Sequence, residues 1–267
     1  MKIKELVDYN LQNGCSLRDA HNLAAQEIII RKIASSDLAN HVTIKGGMVM
    51  YNLSKSNRRI TRDIDFDLIR YSIDKSSIVL FVEKMNTVDD GIEVSINGDI
   101  EDLHQEDYRG VRVNLLLIDN KKNNLKIKLD IGVHTYTAIE QNKIAFNFES
   151  DRSGVSMKVN PPEQIFVEKL ISLSRLGVLS TRYKDVSDMY YLIAECKISI
   201  EKVREILDLF LANSKRRPNT IFQLKNSIQD TLDDKYYIKE ASKPESHWID
   251  EDFETIKNTI IIFVNQL

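Results

Sequence analysis

The sequence predicts an α+β protein: a mixed sheet with helices in the first part of the chain, followed by a helical C-terminal lobe. Two observations support this class. Short β-branched segments separated by turn residues are concentrated before residue 160. Beyond the Pro161-Pro162 pair, apolar residues recur at helical spacing. A soft boundary therefore falls near residue 160, which divides the chain into lobes of residues 1–160 and 161–267.

The first lobe should open with a helix over residues 16–34. Ser16 is a suitable N-cap, and Asp19 places a negative charge in the first turn, where the helix dipole favours it. A short β-branched strand over Val42–Ile44 then stops at Gly46-Gly47. The chain continues from this glycine pair into a helix that runs through Leu53.

Alternation and turn residues predict the rest of the first lobe. Asp63 to Ile69 alternates acidic and apolar residues, which is the period of a strand. A helix follows over Ile78–Met85. Four further β-rich segments cover 91–100, 110–119, 125–133 and 143–148, and residues 119–124 form a hairpin loop between two of them. The helices predicted for the second lobe are 162–176, 183–195, 199–212, 219–230 and 251–265.

The composition is that of an ordinary soluble protein. Of the 267 residues, 42% are apolar and 29% charged. The net charge is −3, so nucleic-acid binding would require a local basic surface. The two cysteines, Cys15 and Cys196, have no disulfide or zinc-site spacing and fit a reducing compartment. Because "MKIKELVDYN" lacks a signal-peptide core and no apolar run is long enough for a membrane span, we expect a cytoplasmic protein.

Three acids of the predicted strand lie on one of its faces. Successive strand side chains alternate, so Asp63, Asp65 and Asp67 point the same way. Three carboxylates on one face repel one another unless water or a cation screens them. Magnesium binds carboxylates together with substrate phosphates, so Asp63 and Asp65 are candidate ligands for Mg²⁺ carrying a nucleoside triphosphate. A solvated strand face is the alternative, and Asp67 has no assigned role.

The glycine pair could bind phosphate. Between a strand and a helix, Gly46 and Gly47 let the backbone approach a ligand closely, and the helix N-terminus offers N–H groups. A plain tight turn explains the pair equally well in isolation. Asp63, sixteen residues after Gly47, makes the combination more specific.

A third acid, Asp130, lies in the strand segment "KIKLDIGV". Its neighbours Leu129 and Ile131 are apolar, so a buried Asp130 would need a partner. The sheet could bring it beside Asp63 and Asp65, as two-metal phosphoryl transfer requires. A partly exposed strand aspartate is the alternative. His134 shares the strand face of Asp130, although packing explains it more simply.

These segments resemble the DNA polymerase β-like nucleotidyltransferases: hydrophobic-Gly-Gly, then Arg-x-Thr-x-Asp-Ile-Asp, then a separate strand aspartate. The sequence "EIIIRKIASS…HVTIKGGMVMYNL…RITRDIDFDL" is similar to that of the AbiEii/AbiGii-type nucleotidyltransferase toxins of type IV toxin–antitoxin and abortive-infection systems. Further along, "PPEQIFVEKLISLSRLGVLSTRYKDVSDMYYL" resembles that family's Glu-Lys-Leu helix and Lys-Asp-x-x-Asp motif. The resemblance covers roughly residues 20–195, with the motifs in order.

The resemblance implies a nucleotidyltransferase fold and an enzyme dependent on Mg²⁺ (or Mn²⁺) that transfers a nucleoside monophosphate from an NTP, with the active site between the two lobes. The implied site residues are Gly46 and Gly47 for the triphosphate, Asp63, Asp65 and Asp130 for metal and catalysis, Lys169 for the phosphates, Asp185 and Asp188 completing the site, and Thr61 just ahead of the acids.

A triphosphate beside three carboxylates is strongly anionic, so a basic side chain should lie nearby. Arg59, Arg62 and Lys169 are the candidates. A solvated helix lysine is the alternative for Lys169. For the second motif, the alternative is a weak surface pair between Lys184 and Asp188, which are spaced i, i+4.

The resemblance further implies an RNA acceptor, especially the 3′ end of tRNA, and growth arrest or abortive phage infection held off by a separately encoded antitoxin. The basic run Lys215-Arg216-Arg217 could contact RNA phosphates, and a solvated loop is the alternative. A protein or small-molecule acceptor stays open, as does a nucleotide-binding interaction protein without turnover.

Overall fold

The computed structural model describes residues 2–103, 110–148, 153–214 and 218–267. The chain divides into two compact units, Met1–Asn160 and Pro161–Leu267. The first unit combines helices with a mixed sheet, and the second is helical throughout its described residues. The α+β class predicted from the sequence is therefore confirmed.

The first unit contains four α-helices and eight strands within its described residues. The helices are α1 (Ile3–Gln12), α2 (Leu17–Ala34), α3 (Gly46–Ser54) and α4 (Lys75–Met85). The strands are β1 (Val42–Lys45), β2 (Ile64–Leu68), β3 (Ile92–Ile96), β4 (Glu101–Leu103), β5 (Gly110–Asp119), β6 (Asn124–Val133), β7 (Asn142–Phe148) and β8 (Ser153–Val159).

Most of these elements follow the predicted pattern. Ser16 caps α2 as expected, since its hydroxyl accepts a hydrogen bond from the Asp19 amide at 3.2 Å. The predicted hairpin loop joins β5 to β6, and the Asp119 carboxylate holds it by accepting the Asn123 amide at 2.9 Å. Three elements were not foreseen: α1, β4 and β8. Strand β2 begins at Ile64, so Asp63 lies just before the strand and not within it.

The strand order is β3-β5-β6-β2-β1-β8-β7, and β4 also pairs with β5. Two pairs are parallel, β2 with β6 and β1 with β8, and the other pairs are antiparallel. The parallel β2–β6 pair lies at the centre. It places two segments that are distant in sequence side by side.

The central strands have one apolar and one polar face. Ile44, Phe66, Ile131 and Val111 are register partners across β1, β2, β6 and β5, and each is at most 2% exposed. Helix α2 packs against this part of the sheet through residues such as Ile28. Because side chains alternate along a strand, the neighbouring residues face the other way. That second face carries the charged residues described below.

The second unit contains six helices within its described residues. They are α5 (Pro162–Leu176), α6 (Tyr183–Ala194), α7 (Ile200–Ala212), α8 (Ile221–Asp233), α9 (Lys235–Ala241) and α10 (Phe253–Asn265). Five were predicted to within a few residues, and the short helix α9 was not. Pro162 begins α5, where its missing N–H has no intrahelical partner to lose. Helix α5 packs against α6, α7 and α8 around buried residues such as Phe166 and Leu170.

Among the residues that the structure describes, no helix combines the length and apolar character of a membrane span.

Candidate active site

A row of four charged residues crosses the polar face of the sheet. Lys45 on β1, Asp65 on β2, Asp130 on β6 and Arg112 on β5 are successive register partners. Neighbouring strands lie about 4.8 Å apart, so the carboxylates of Asp65 and Asp130 are direct neighbours. We call these four residues the charged row. Its two central members are acids, and a base flanks them on each side.

Arg112 binds Asp130 through two parallel hydrogen bonds. Its Nε and Nη2 donate to Oδ1 and Oδ2 of Asp130, both at 2.8 Å. This bidentate geometry is the strongest form of the arginine–carboxylate interaction. The hydrogen bonding with Asp130 is the largest cause that raises the pKa of Arg112 above its ordinary value. Asp130 is thus partnered, and its partner is a residue that sequence reasoning did not single out.

Asp63 has a different partner. Its Oδ2 lies 2.8 Å from Nζ of Lys128, which precedes Asp130 by two residues on β6. The strand period places Lys128 and Asp130 on the same face. That spacing was the signal in the sequence that could have revealed Lys128. The register across the β5–β6 hairpin could likewise have revealed Arg112.

The three predicted metal ligands do not form one cluster. Within the described ranges, no three His, Cys, Asp or Glu side chains are grouped so that they could hold a metal ion. Asp65 and Asp130 are adjacent, whereas Asp63 is held by Lys128. Two neighbouring carboxylates still fit a hard divalent cation, because Mg²⁺ takes one or two carboxylates and completes its shell with water and substrate phosphates.

Gly46 allows the acid to lie against the start of α3. It has a φ of +66°, and a Cβ at this position would lie 2.9 Å from Oδ2 of Asp65. Any L side chain here would be strained and would also collide with the carboxylate. The glycine pair forms the first turn of α3 and not a separate loop, and the side chain of Lys45 at its N-cap makes no capping hydrogen bond. Gly46, predicted to bind phosphate, and Asp65, predicted to bind metal, therefore lie side by side.

Gly47 brings two more predicted residues to the same turn. A Cβ at Gly47 would lie 2.8 Å from Oγ1 of Thr61 and 3.2 Å from Nη1 of Arg59. Arg59 is buried, whereas Arg62 is exposed. Gln26, a buried residue of α2, donates through Nε2 to the Thr61 carbonyl oxygen at 2.8 Å. Helix α2 thus fixes the segment that carries Arg59 and Thr61.

The remaining acid of the run has a structural partner. Asp67 is buried, and its Oδ1 lies 2.7 Å from Nζ of Lys45. His134 is also buried, and that burial lowers the pKa of its imidazole, with Asp67 opposing the shift and Lys45 adding to it. Asp67 therefore stabilises a base of the charged row, and His134 is a packed residue beside the site.

The helical unit contains a second charged cluster. Nζ of Lys169 on α5 donates to Oδ1 of Asp185 and lies 2.8 Å from Oδ2 of Asp188. Both acids are on α6, where the i, i+3 spacing places them on one face. Asp188 has no exposed surface, and Lys169 is buried. Lys169 is therefore not a solvated helix lysine, and Asp188 is not part of a surface pair.

Trp248 completes this cluster. Its Nε1 donates to Oδ1 of Asp188 at 2.9 Å. It is the only tryptophan of the chain and lies 60 residues beyond Asp188, with no motif to single it out. We call Lys169, Asp185, Asp188 and Trp248 the lysine cluster. The basic run Lys215-Arg216-Arg217 lies outside the described residues.

The mixed eight-stranded sheet with its helices, and the glycine pair beside Asp65, are consistent with a nucleotidyltransferase-like fold. Residues 28–259 match the family model described as nucleotidyl transferase AbiEii toxin, type IV TA system, and the chain belongs to this family. A comparison with curated protein sequences found no match. The family resemblance predicted from the sequence is confirmed. It makes the chain a nucleotidyltransferase toxin that uses an NTP, typically with a divalent metal, and that has a cognate antitoxin.

Proposed function

We propose that this toxin is a magnesium-dependent enzyme that transfers a nucleoside monophosphate from an NTP to RNA, at the 3′ end of tRNA. The consequence would be growth arrest or abortive phage infection, held off by the cognate antitoxin. One observation carries the proposal: Asp65 and Asp130 are cross-strand neighbours, and Asp65 lies against Gly46 at the start of α3. Family membership supports the transfer chemistry. The proposed tRNA acceptor comes from the family resemblance described above.

In the proposed reaction, the acceptor hydroxyl oxygen forms a bond to the α-phosphorus of the NTP. The bond from that phosphorus to the bridging oxygen breaks, and pyrophosphate leaves. Asp130 helps to activate the acceptor by taking the hydroxyl proton. Asp65 and Asp130 would hold the metal, with Asp63 joining them on release from Lys128. A bound divalent ion supplies charge stabilisation at the α-phosphate and the leaving group.

The first turn of α3 would hold the triphosphate. Its amides lack intrahelical partners, and the helix dipole favours negative charge there. Arg59 adds a guanidinium beside Gly47, and Thr61 adds a hydroxyl. These four residues, Gly46, Gly47, Arg59 and Thr61, would bind the nucleotide by main-chain and side-chain donors together.

In the helical unit, residues 161–267, Lys169 is proposed to bind the phosphates of the NTP. Asp185 and Asp188 would act through this lysine. Asp188 is fully buried and hydrogen-bonded, which supports a role in orienting Lys169. From the sequence, Asp185 and Asp188 were expected to complete the site, and the proposed role specifies that they do so through Lys169.

Labelled transfer tests the proposal. The purified toxin is incubated with each α-labelled NTP and Mg²⁺, with and without total tRNA, beside Asp63→Ala and Lys169→Ala. We expect label on tRNA from one preferred NTP, loss of transfer in both variants, and loss with a chelator. Label on protein or on a small molecule would show that the acceptor is that molecule and not tRNA. If the toxin neither transfers label nor binds any NTP, the enzyme assignment for this chain is refuted.

The toxin role needs a separate measurement. Expression of the wild type should arrest growth, and Asp63→Ala should not, at equal protein level. Co-expression of the cognate antitoxin should restore growth, and phage plating on cells carrying the pair tests the abortive role. Arrest by Asp63→Ala as strong as that by the wild type would separate toxicity from the proposed chemistry.

A further inference from the structure

We propose that Trp248 is a positioning residue for nucleotidyl transfer, which fixes the ammonium of Lys169 through the carboxylate of Asp188. The inference rests on the proposed function, because it assumes that Lys169 contacts the phosphates of the NTP. It assigns a role to the C-terminal segment, for which the sequence offered none.

Each oxygen of Asp188 faces a different partner. Oδ1 accepts the indole N–H of Trp248 at 2.9 Å, and Oδ2 lies 2.8 Å from Nζ of Lys169. The carboxylate has no exposed surface, so bulk water cannot take the place of either partner. Hydrogen bonds to a buried ionised acceptor are strong and directional. The indole therefore sets the plane of the carboxylate, and with it the position of the ammonium.

The orientation of Trp248 is itself fixed by packing. The side chain is 5% exposed, and its ring contacts that of Tyr191 on α6 with 5.2 Å between centroids. It belongs to the segment between α9 and α10, where the Ser246 amide donates to the Lys243 carbonyl oxygen at 2.9 Å. A rigid aromatic side chain with one donor at a fixed point is suited to hold a carboxylate in a single orientation.

A buried indole N–H needs an acceptor, and here that acceptor is the carboxylate that also binds Lys169. The indole N–H can only donate, and Asp188 can only accept while it is ionised. The same carboxylate faces a lysine that a second acid, Asp185, also binds. If the indole donor is removed, Asp188 is expected to turn further towards Lys169. The ammonium then shifts, although the fold is unchanged.

A double-mutant cycle on NTP affinity tests this link. Trp248→Phe keeps an aromatic ring in the core and removes the N–H. Binding of ATP, CTP, GTP and UTP is measured by titration calorimetry without acceptor, for wild type, Trp248→Phe, Lys169→Met and the double variant. We expect Trp248→Phe to weaken binding of the preferred NTP by about tenfold. In the Lys169→Met background the same change should have no effect.

Phe263→Leu is the matched control, since it removes an aromatic ring elsewhere in the helical unit, the one that packs on Phe166, and leaves the indole donor and the Tyr191 ring in place. It should weaken NTP binding by less than about twofold. Equal losses from Trp248→Phe in both backgrounds would show a general structural effect and overturn the proposal. So would unchanged binding by Trp248→Phe when Lys169→Met is impaired. If Lys169→Met binds NTP normally, the proposed role of Lys169 fails as well, which separates the two claims.

The wild-type protein offers a second measurement that does not depend on any variant folding. Because Trp248 is the only tryptophan, its emission reports directly on the lysine cluster. Addition of the preferred NTP should change the emission with the same midpoint as the calorimetric titration. Emission that stays constant through saturation would contradict the link between Trp248 and the nucleotide.

Discussion

The charged row and the lysine cluster are built in opposite ways. In the charged row, two acids lie between two bases, and the Arg112–Asp130 pair is partly exposed, with side chains that are 33% and 22% exposed. In the second unit, one base lies between two acids, and Asp188 is fully buried. The charged row has two acids and two bases, whereas the lysine cluster has two acids and one base, and only the charged row is open enough to exchange a partner.

This difference has a physical consequence. A partly exposed ion pair contributes little to the free energy of folding, and its partners can be exchanged because water solvates whichever group is released. A buried pair is costly to break, since the remaining charge is left without solvent. The charged row is therefore suited to exchange Arg112 for a divalent ion. The lysine cluster is suited to hold one positive charge at a fixed position.

The largest predicted effect is that one substitution in each cluster impairs a different function: ion binding and catalysis in the charged row, NTP binding in the lysine cluster. Asp65→Asn should abolish divalent-ion binding and lower kcat by about a thousandfold or more, because it removes a ligand worth several kcal/mol in the transition state. Lys169→Met should leave ion binding intact and weaken NTP binding. Mn²⁺ binding followed by electron paramagnetic resonance, together with NTP titration, measures both variants.

Asp67→Asn is the matched control for Asp65→Asn, two residues along the same strand. It breaks the buried pair with Lys45, so it should lower the free energy of unfolding by about 1–3 kcal/mol. Its Mn²⁺ affinity should stay close to that of the wild type. Equal loss of ion binding in both variants would show that the whole row, and not Asp65, defines the site.

The second prediction concerns the corner between Gly46 and Asp65. Gly46→Ala should destabilise the first unit by about 1–2 kcal/mol, because an L residue is forced to positive φ. It should also lower kcat/KM by about a hundredfold, because the new Cβ displaces the carboxylate. Gly98→Ala is the control, since Gly98 has a φ of +99° and open space around it. A similar loss of activity in Gly98→Ala would mean that backbone strain at positive φ, and not displacement of the Asp65 carboxylate, causes the loss in Gly46→Ala.

Local features of the sequence foretold much of this arrangement. The cap at Ser16, the glycine pair and the hairpin loop at Asp119 depend on short stretches, and the structure agrees with each. The features that were missed are non-local. The bidentate pair of Arg112 with Asp130 depends on the register of a hairpin, and the bond of Trp248 to Asp188 joins residues 60 positions apart. Pattern and propensity do not specify such pairings.

The third prediction tests whether Arg112 competes with the metal for Asp130. Arg112→Met should tighten Mn²⁺ binding in the absence of NTP by about fivefold, because it removes a unit positive charge next to the ion, with solvent screening part of the effect. Arg112→Lys retains the charge and should stay near the wild-type affinity. Weaker Mn²⁺ binding by Arg112→Met would mean instead that the guanidinium aligns Asp130 for the ion.

The smallest effect concerns His134, the buried histidine beside Lys45 and Asp67. Burial lowers the pKa of His134, whereas in the unfolded chain histidine titrates near pH 6.5. Between those two values the unfolded state binds more protons, so the free energy of unfolding should fall as the pH drops below about 6.5. One proton limits this slope to about 1.4 kcal/mol per pH unit.

Denaturation of the wild type and of His134→Asn at pH 7.5 and 5.5 measures this effect. The free energy of unfolding of the first unit should differ less between the two pH values in the variant than in the wild type. An equal pH dependence in both proteins would mean that protonated His134 is accommodated in the fold, and that the polar face beside the charged row is more open to water than the burial of Asp67 implies.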